Sequence, residues 1–429
     1  MRYRLGDICT ITKGNIGIMK AIPGEYVMVA LGEANKTHNE YQFDTKAVLI
    51  PLVSSTGHGH ASMKRVKYQE GKFALGNILC AVIPKDESLI LAKYLHIFLH
   101  WNREELLVSQ MKGMANVSLS LNKIADVEVI VPSIEKQFEI VELEQKLVTK
   151  ELEADKLYSD QLTQIQNLNQ AILQEAVQGK LVPQDPTDEP ASKLLERIKA
   201  EKAKLGKKEK PLPPIKPEEI PFEIPKSWVW CRLGEIAYIT SGSTPSKDAF
   251  VENGIPYLKM YNLRSQEIDF HYKPQYIKEE VHNGQLKRCR AYPGDILMNI
   301  VGPPLGKIAI IPESLPECNF NQAAVLIRPF VKEMNYYVNY FLNEMSEIKA
   351  IETKGVAGQD NISVTQAQNI KIPFPTLSEQ KRIVAEIDKQ LEKTKQLKEH
   401  ILANQQATEQ LLKALLHQAF EVEQKEVEV

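Results

Sequence analysis

The chain has 429 residues, of which 43% are hydrophobic and 25% charged, with a formal net charge of −2. That length provides for two or three domains, and that charge excludes the broadly basic surface of an undirected nucleic-acid binder. No apolar run is long enough to cross a bilayer, the opening MRYRLGDICTITKG lacks the apolar core of a signal peptide, and five scattered cysteines without a CxxC pair suit a reducing cytoplasm.

Residues 1–131 read as a compact α+β domain. Short β-rich runs, EYVMVALG, AVLIPLV and ILCAVIP, are separated by Gly, Pro and Ser turns. Leu89 to Leu107 predicts a helix. The run SSTGHGHASMKR from Ser54 predicts an exposed loop. His58 and His60 within it have no Cys or carboxylate at ligand spacing, so a polar loop is the better reading than a metal site. The domain closes on KGMANVSLSLNKIADVEVIVP, which reads as a loop, a short helix and a strand.

Residues 132–180 form a long helical stretch that recurs as Pro375 to Phe420 within the final segment 375–429. Pro132 aligns with Pro375, Gln137 with Gln380 and Ala176 with Ala419, each pair 243 apart with no gap. Glu, Gln, Lys, Leu and Ala dominate both copies, and Gly179 suits the C-terminal cap of the first. Thr376 and Glu379 have capping-box spacing. The apolar positions are heptad-like. Val141, Val148, Tyr158, Leu162, Ile165 and Ile172 mark the seam of copy one. Val384, Ile387, Leu391, Ile401, Leu412 and Leu415 mark that of copy two. Such seams want a partner helix, and each copy is the natural partner of the other in an antiparallel coiled coil. Glu144, Asp155, Asn169 and Lys398 are polar entries suited to fixing register. The last residues, VEQKEVEV, read as a frayed acidic tail.

Between helix and second domain lies a Pro-rich linker, 181–225, with a short amphipathic helix, ASKLLERIKAEKAKLGKKEK, running into a basic tail. Its prolines predict an extended connector crossing between domains. Residues 226–374 then repeat the plan of the first domain. RLGEI at Arg232 echoes RLGDI at Arg4, 228 apart, and KGVAGQDNISVTQAQNIKIPFP at Lys354 echoes KGMANVSLSLNKIADVEVIVP at Lys112. The offset grows to 243, so about fifteen residues are inserted inside the second domain. The interiors are otherwise dissimilar.

No catalytic constellation is present. GPPLGK at Gly302 lacks the spacing and hydroxyl of a phosphate-binding loop, and neither HExxH nor GxSxG occurs. Asp295 in PGDILM predicts a turn cap rather than a base. Charge is weakly positive in the globular parts, with 15 Lys and Arg against 12 Asp and Glu in 1–131 and 16 against 15 in 226–374. A reader this neutral needs directed loops or a partner that supplies phosphate contacts. Those loops are visible: TSGSTPSK offers Ser241, Ser243, Thr244 and Lys247, and YLKMYNLRS gathers Lys259, Tyr261, Asn262 and Arg264. Arg and Lys suit guanine and Asn suits adenine on the major-groove edge. The first-domain counterparts are Lys13, Asn15, Ser55, His58, Lys64, Arg65 and Lys112, and the closing loop of the second domain adds Lys354 and Gln359.

These features together resemble the specificity subunit of a Type I restriction-modification system. The resemblance rests on the two PxxxxQ helix starts, on AILQEAVQGKLVPQDPTDEPASKLLERI, FEIPKSWVWCRLGEI, SGSTPSKDAFVENGIPYL and GDILMNIVGPPLGKIAII. The first domain keeps the RLGDI opening without an SGSTP-like loop. The resemblance implies two tandem target-recognition domains separated by two antiparallel conserved helices, each domain reading one half of a two-part asymmetric double-stranded DNA site. It implies no catalysis and no cofactor on this chain. Two methyltransferase subunits would bring S-adenosylmethionine, and two restriction subunits, translocase-nucleases, would bring ATP and Mg. Helices of about 45 residues, roughly 70 Å long, would act as a ruler for the unread spacer. A coiled-coil protein scaffold that never touches DNA is the competing reading.

Overall fold

The computed structural model describes residues 1–56, 60–113, 117–204, 211–264, 266–302, 305–344 and 361–427. They divide into two compact units. The first comprises Met1–Gln161 with His400–Val429, and the second Leu162–Glu399. The division cuts through both long helices. Each unit therefore holds one globular domain plus half of each helix, where the sequence suggested separate spacers at 132–180 and 375–429.

In the first unit a four-stranded antiparallel sheet has the order Cys9–Lys13, Leu79–Pro84, Ala47–Pro51, Lys67–Gln69. Ala47–Pro51 is buried along its whole length, as a β-branched run between two neighbours should be. A second sheet runs Lys36–His38, Tyr26–Val29, Lys72–Leu75, Phe43–Asp44, and its central pair is parallel, with Val27 opposite Phe73. Arg2–Arg4 pairs with Glu128–Ile130 and ties the ends of the domain together. The helix expected near Leu89–Leu107 spans Ala92–Trp101, and its Tyr94, Leu95 and Phe98 fill the core.

The second unit has the same topology despite its dissimilar interior sequence. Its antiparallel sheet runs Ala237–Ser241, Ala324–Pro329, Ile296–Asn299, Ile308–Ile310. Its second sheet again carries one parallel pair at its centre, Ile255–Leu258 beside Cys318–Phe320, and adds the short strand Phe250–Val251. Val229–Arg232 pairs with Lys371–Phe374 as the closing ribbon. Asp295 caps the turn into Ile296–Asn299 as expected, accepting from the Tyr292 N–H at 2.7 Å. Its other partner is Arg328, through Nε at 2.8 Å. All five cysteines are buried and free.

The linker is not a free connector. Ala191, Leu194, Leu195 and Ile198 of the helix Ala191–Lys204 lie in the core of the second unit. Arg232 donates to the Pro213 and Pro214 carbonyls and pairs with Glu219 at 3.1 Å. The prolines hold the segment extended, yet it lies along the domain because its apolar face has a core to join. Its basic tail falls outside the described residues.

The first long helix spans Ile134–Val177 and the second Leu377–Val427, so the expected frayed tail is helical as far as Val427. Gly179, at φ +70°, ends the first helix, with Gly179 N–H on the Ala176 carbonyl and Lys180 N–H on that of Glu175, the bonding pattern of a Schellman cap. The PxxxxQ motif has a structural explanation. Buried Gln137 donates to the Pro132 and Leu89 carbonyls and accepts from the Leu91 N–H, fastening the helix start to the domain. Gln380 makes the equivalent bond to Pro375 O at 3.1 Å. At the second start only half of the capping box forms. Glu379 N–H reaches Thr376 Oγ1 at 3.1 Å, while the Glu379 carboxylate accepts from Trp228 Nε1 at 2.7 Å and from Gln184. Burial pushes that carboxyl up.

Within each unit the helix halves run antiparallel: Ile140 and Val141, early in the first helix, share a core with Phe420, late in the second, while Ile172 and Ala176, late in the first, share one with Ile383 and Ile387, early in the second. In the first, Tyr158 meets Thr408 at 2.9 Å and Gln405 donates to Asp155 at 3.2 Å. In the second, Thr394 donates to Asn169 at 2.6 Å. Two of the four expected register residues thus find polar partners across the seam. Lys398 is exposed instead.

Candidate nucleic-acid interface

Five main-chain hydrogen bonds build one edge of the first domain. Gly14 donates to Leu79, Leu79 to Gly76, Gly76 to Val29, Leu52 to Ile78 and Leu119 to Leu52, all between 2.9 and 3.0 Å. The same five recur in the second domain, where Gly242 donates to Ala324, Ala324 to Asn321, Asn321 to Leu258, Ile300 to Ala323 and Ile362 to Ile300. The recurrence fixes equivalences that alignment of the interiors did not provide. Gly14 matches Gly242 at an offset of 228, Val29 matches Leu258 at 229, and Leu52 matches Ile300 at 248. The main insertion, 248 − 229 or 19 residues, therefore lies between Leu258 and Ile300. Glycine is needed at the first of these positions because a Cβ on Gly14 would collide with the Leu75 and Gly76 carbonyls. One on Gly242 would meet those of Phe320 and Asn321.

The frame fixes, at one edge of each domain, the main-chain points that flank four loops. In the first unit they follow Gly14, Val29 and Leu52 and precede Leu119. In the second they follow Gly242, Leu258 and Ile300 and precede Ile362. The first domain therefore does have a counterpart of the SGSTP loop. It begins at Gly14, and its sequence disguised it.

Most first-unit candidates lie on this edge. Lys13 and Asn15 are exposed, and the Gln42 side chain clamps the turn between them by donating to Lys13 O at 3.1 Å and accepting from Asn15 N–H at 3.3 Å. Ser55 accepts from the Lys64 N–H at 3.1 Å, which closes the base of the loop after Leu52 and leaves the Lys64 side chain in solvent. Arg65 pairs with Glu33 at 2.6 Å across to the neighbouring loop, both side chains remaining exposed. Lys112 is exposed and its main chain exchanges two bonds with Ser118. The base of the loop after Leu52 is also held from behind. Val66 lies against His96 and His100, and Arg103 donates to Met63 O at 2.9 Å. Burial holds the His100 imidazole down to about 4, with His96 and Arg103 adding to the effect.

In the second unit Ser241 ends a strand, and Ser243 is fixed by its N–H on Phe320 and by the buried Tyr257 hydroxyl, which donates to its carbonyl at 3.0 Å. Thr244 and Lys247 are exposed. Lys259 is half-buried with Nζ 5.4 Å from the Phe250 ring centre. Tyr261 donates to Lys273 O at 3.2 Å and Arg264 lies over the exposed Tyr272 ring at 4.2 Å. Asn262 is a correction. It is 1% exposed, accepts from Lys259 N–H and donates to the Asp269 and Tyr272 carbonyls, so it shapes the loop from inside. His58, Lys354 and Gln359 lie outside the described residues. Sequence reasoning did not single out Gln42, Tyr272 or Lys273, which hold these loops. The first works through its amide at long range and the last adopts a positive φ of 53°, neither of which leaves a local pattern.

The seam residues fall within single units. Val141 joins the first unit's core beside Phe420, Val148 and Tyr158 are half-buried, and Ile401 and Leu412 are buried. In the second unit Ile165 is buried and Leu162 half-buried, while Ile172 and Ile387 lie in its core with Val384 and Leu391 against it. Leu415 is 38% exposed, and Leu416 is buried in its place at 1%. The heptad drifts against the true helical period over a helix this long. Among the described residues no helix is long and apolar enough to cross a membrane, and no three His, Cys, Asp or Glu residues gather as a metal site.

A family model described as Type I restriction modification DNA specificity domain matches residues 1–164 and 225–404. The chain is 35% identical over 262 residues to the EcoAI specificity subunit of a Type I restriction enzyme from Escherichia coli, covering 58% of this chain and 43% of that one. It is 34% identical over 277 residues to the EcoEI specificity subunit from the same organism, again covering 43% of the relative. The match thus spans less than half the length of either relative. Among solved structures it resembles the HsdS subunit from Thermoanaerobacter tengcongensis, with TM-score 0.55, 17% identity and coverage of 98% of this chain and 96% of that one. A chain from a structural study of assembly and conformational transition in the type I R-M system matches with TM-score 0.66, 17% identity and coverage of 98% and 97%. These two likenesses concern the fold.

Proposed function

The chain belongs to the Type I restriction modification DNA specificity family, and from that premise we propose that it reads a two-part, asymmetric duplex DNA sequence, one half per unit. The observation that carries this reading is the recurrence of one main-chain frame with different side chains mounted on it. One scaffold used twice with unlike loops suits one task performed on two unlike targets. The exposed lysines at the edges, Lys13, Lys64, Lys112 and Lys247, serve as phosphate contacts that orient the loops, and base-edge contacts supply the sequence information.

The chain itself does no chemistry. Two methyltransferase subunits carry S-adenosylmethionine and methylate adenine N6 in each half-site, and two translocase-nuclease restriction subunits with ATP and Mg join for cleavage. Exposed Phe138, Leu152, Leu157 and Leu411 on the helix halves of the first unit offer apolar area for such partners. The test is a genome-wide N6-methyladenine map in cells expressing this chain with a methyltransferase subunit from the same source, against cells with the methyltransferase subunit alone. A two-part motif with a fixed spacer, present only with this chain, is the expected result. No difference, with the complex shown to assemble, overturns the proposal.

A further inference from the structure

The turn that follows Gly14 has an unusual surface. Ile18, Met19 and Ile22 are 44%, 91% and 58% exposed, three apolar side chains within five residues. A single exposed apolar residue is ordinary, but three together on a fixed turn lose free energy unless something covers them. The turn is fixed at both ends. Gln42 clamps Lys13 to Asn15, the Ile22 N–H donates to His38 Nδ1 at 3.1 Å, and Lys36 Nζ reaches the Ile18 carbonyl at 3.4 Å. Residues 13–22 carry two lysines, Lys13 and Lys20, both exposed, and no carboxylate. An apolar tip between cations fits a nucleic acid better than an apolar protein groove, because the cations flank it where phosphates would lie.

The matching turn in the second unit, Lys247–Ala249, presents a polar tip of Thr244, Ser246, Lys247 and Asp248. The two units therefore place opposite chemistries at the same point of the frame. The apolar group that a base pair offers in the major groove is the thymine 5-methyl. We propose that Met19 is a specificity-determining residue that contacts a thymine methyl in the half-site read by the first unit, with Gln42 as its positioning residue. The inference rests on the proposed DNA reading and adds the chemical identity of one contact.

The test uses the full chain assembled with methyltransferase subunits from the same source and duplexes carrying the mapped site. Each thymine is replaced in turn by uracil, which removes only the methyl group. The wild-type complex is expected to lose about fourfold in affinity at one thymine in one half-site, the worth of one buried methyl. Met19→Ala binds more weakly and becomes indifferent to uracil at that position, while Met19→Leu keeps the sensitivity. Gln42→Ala reduces the sensitivity with Met19 intact and leaves discrimination at the other half-site unchanged, which separates positioning from misfolding. An identical uracil profile in wild type and Met19→Ala, or no methyl-sensitive thymine, overturns the inference while leaving the reading of DNA intact. If the wild-type complex shows no sequence preference at all, both fall.

Discussion

His100 shows how a side chain far from any base can govern a reading loop. Its imidazole is neutral in the fold because burial disfavours the charge, and it accepts from the Val66 N–H at the base of the Ser54–Arg65 loop. The titratable groups around it, His96, Arg103 and Arg65, all oppose protonation, while its hydrogen bond to the Val66 backbone favours it. A base whose folded pKa is depressed contributes stability above its unfolded value and loses it as pH falls toward the folded one. The first unit should therefore lose stability between about pH 6.5 and about pH 4. The protection factor of the Val66 amide, its exchange corrected for the intrinsic rate at each pH, should fall as pH drops through that window, and His100→Asn should flatten the dependence. A slope unchanged in the variant would assign it to other groups. Asn262 gives the complementary lesson. Its type and its place beside Lys259 and Arg264 suit adenine recognition, yet three main-chain partners engage its amide. Residue type cannot distinguish an Asn that reads from one that folds a loop, because both need the same donors and acceptors.

The long helices were legible as elements because composition, caps and spacing agreed, and their starts fall within two residues of the prolines that announced them. The face they bury was legible only in part. A heptad places Leu415 in the seam, but the helix turns once per 3.6 residues, and by Leu412 the accumulated drift has brought Leu416 and Phe420 inward. Leu416→Ala in the isolated full chain should cost about 2–5 kcal/mol as a buried large-to-small change, and Leu415→Ala under about 0.5 kcal/mol. Thermal or urea unfolding of the two variants checks this, and equal losses would restore the heptad reading. The linker was misread for a related reason. Proline counts report backbone extension, and they are silent on whether an extended segment has a surface to lie against. Leu194 and Ile198 carried that information as a short amphipathic pattern.

At the scale of the chain, the internal repeat was legible at its edges, where RLGDI and RLGEI and the two PxxxxQ starts survive. It was illegible between them, since a sheet of fixed topology accepts many apolar sequences. Among the described residues, the main-chain bonds that build each edge all lie within one unit. Replacing residues 226–374 by another recognition domain should consequently change one half of the methylated motif and leave the other half unaltered. Methylation mapping of the hybrid decides it, and a change in both halves would refute independent reading.

The five bonds that fix each edge run from peptide N–H to peptide carbonyl, and no side chain takes part in them. Peptide groups are what every amino acid has in common, so only the glycine at the start of the first loop is constrained by identity. Exposed side chains mounted beyond it, unlike the buried Asn262 and the clamping Gln42, are free to mutate at little cost to folding. A lineage carrying this layout should drift in the words it recognises much faster than in its architecture. Two such chains from neighbouring strains should differ most sharply in the stretches just after Gly14 and Gly242, and hardly at all in the backbone beneath them.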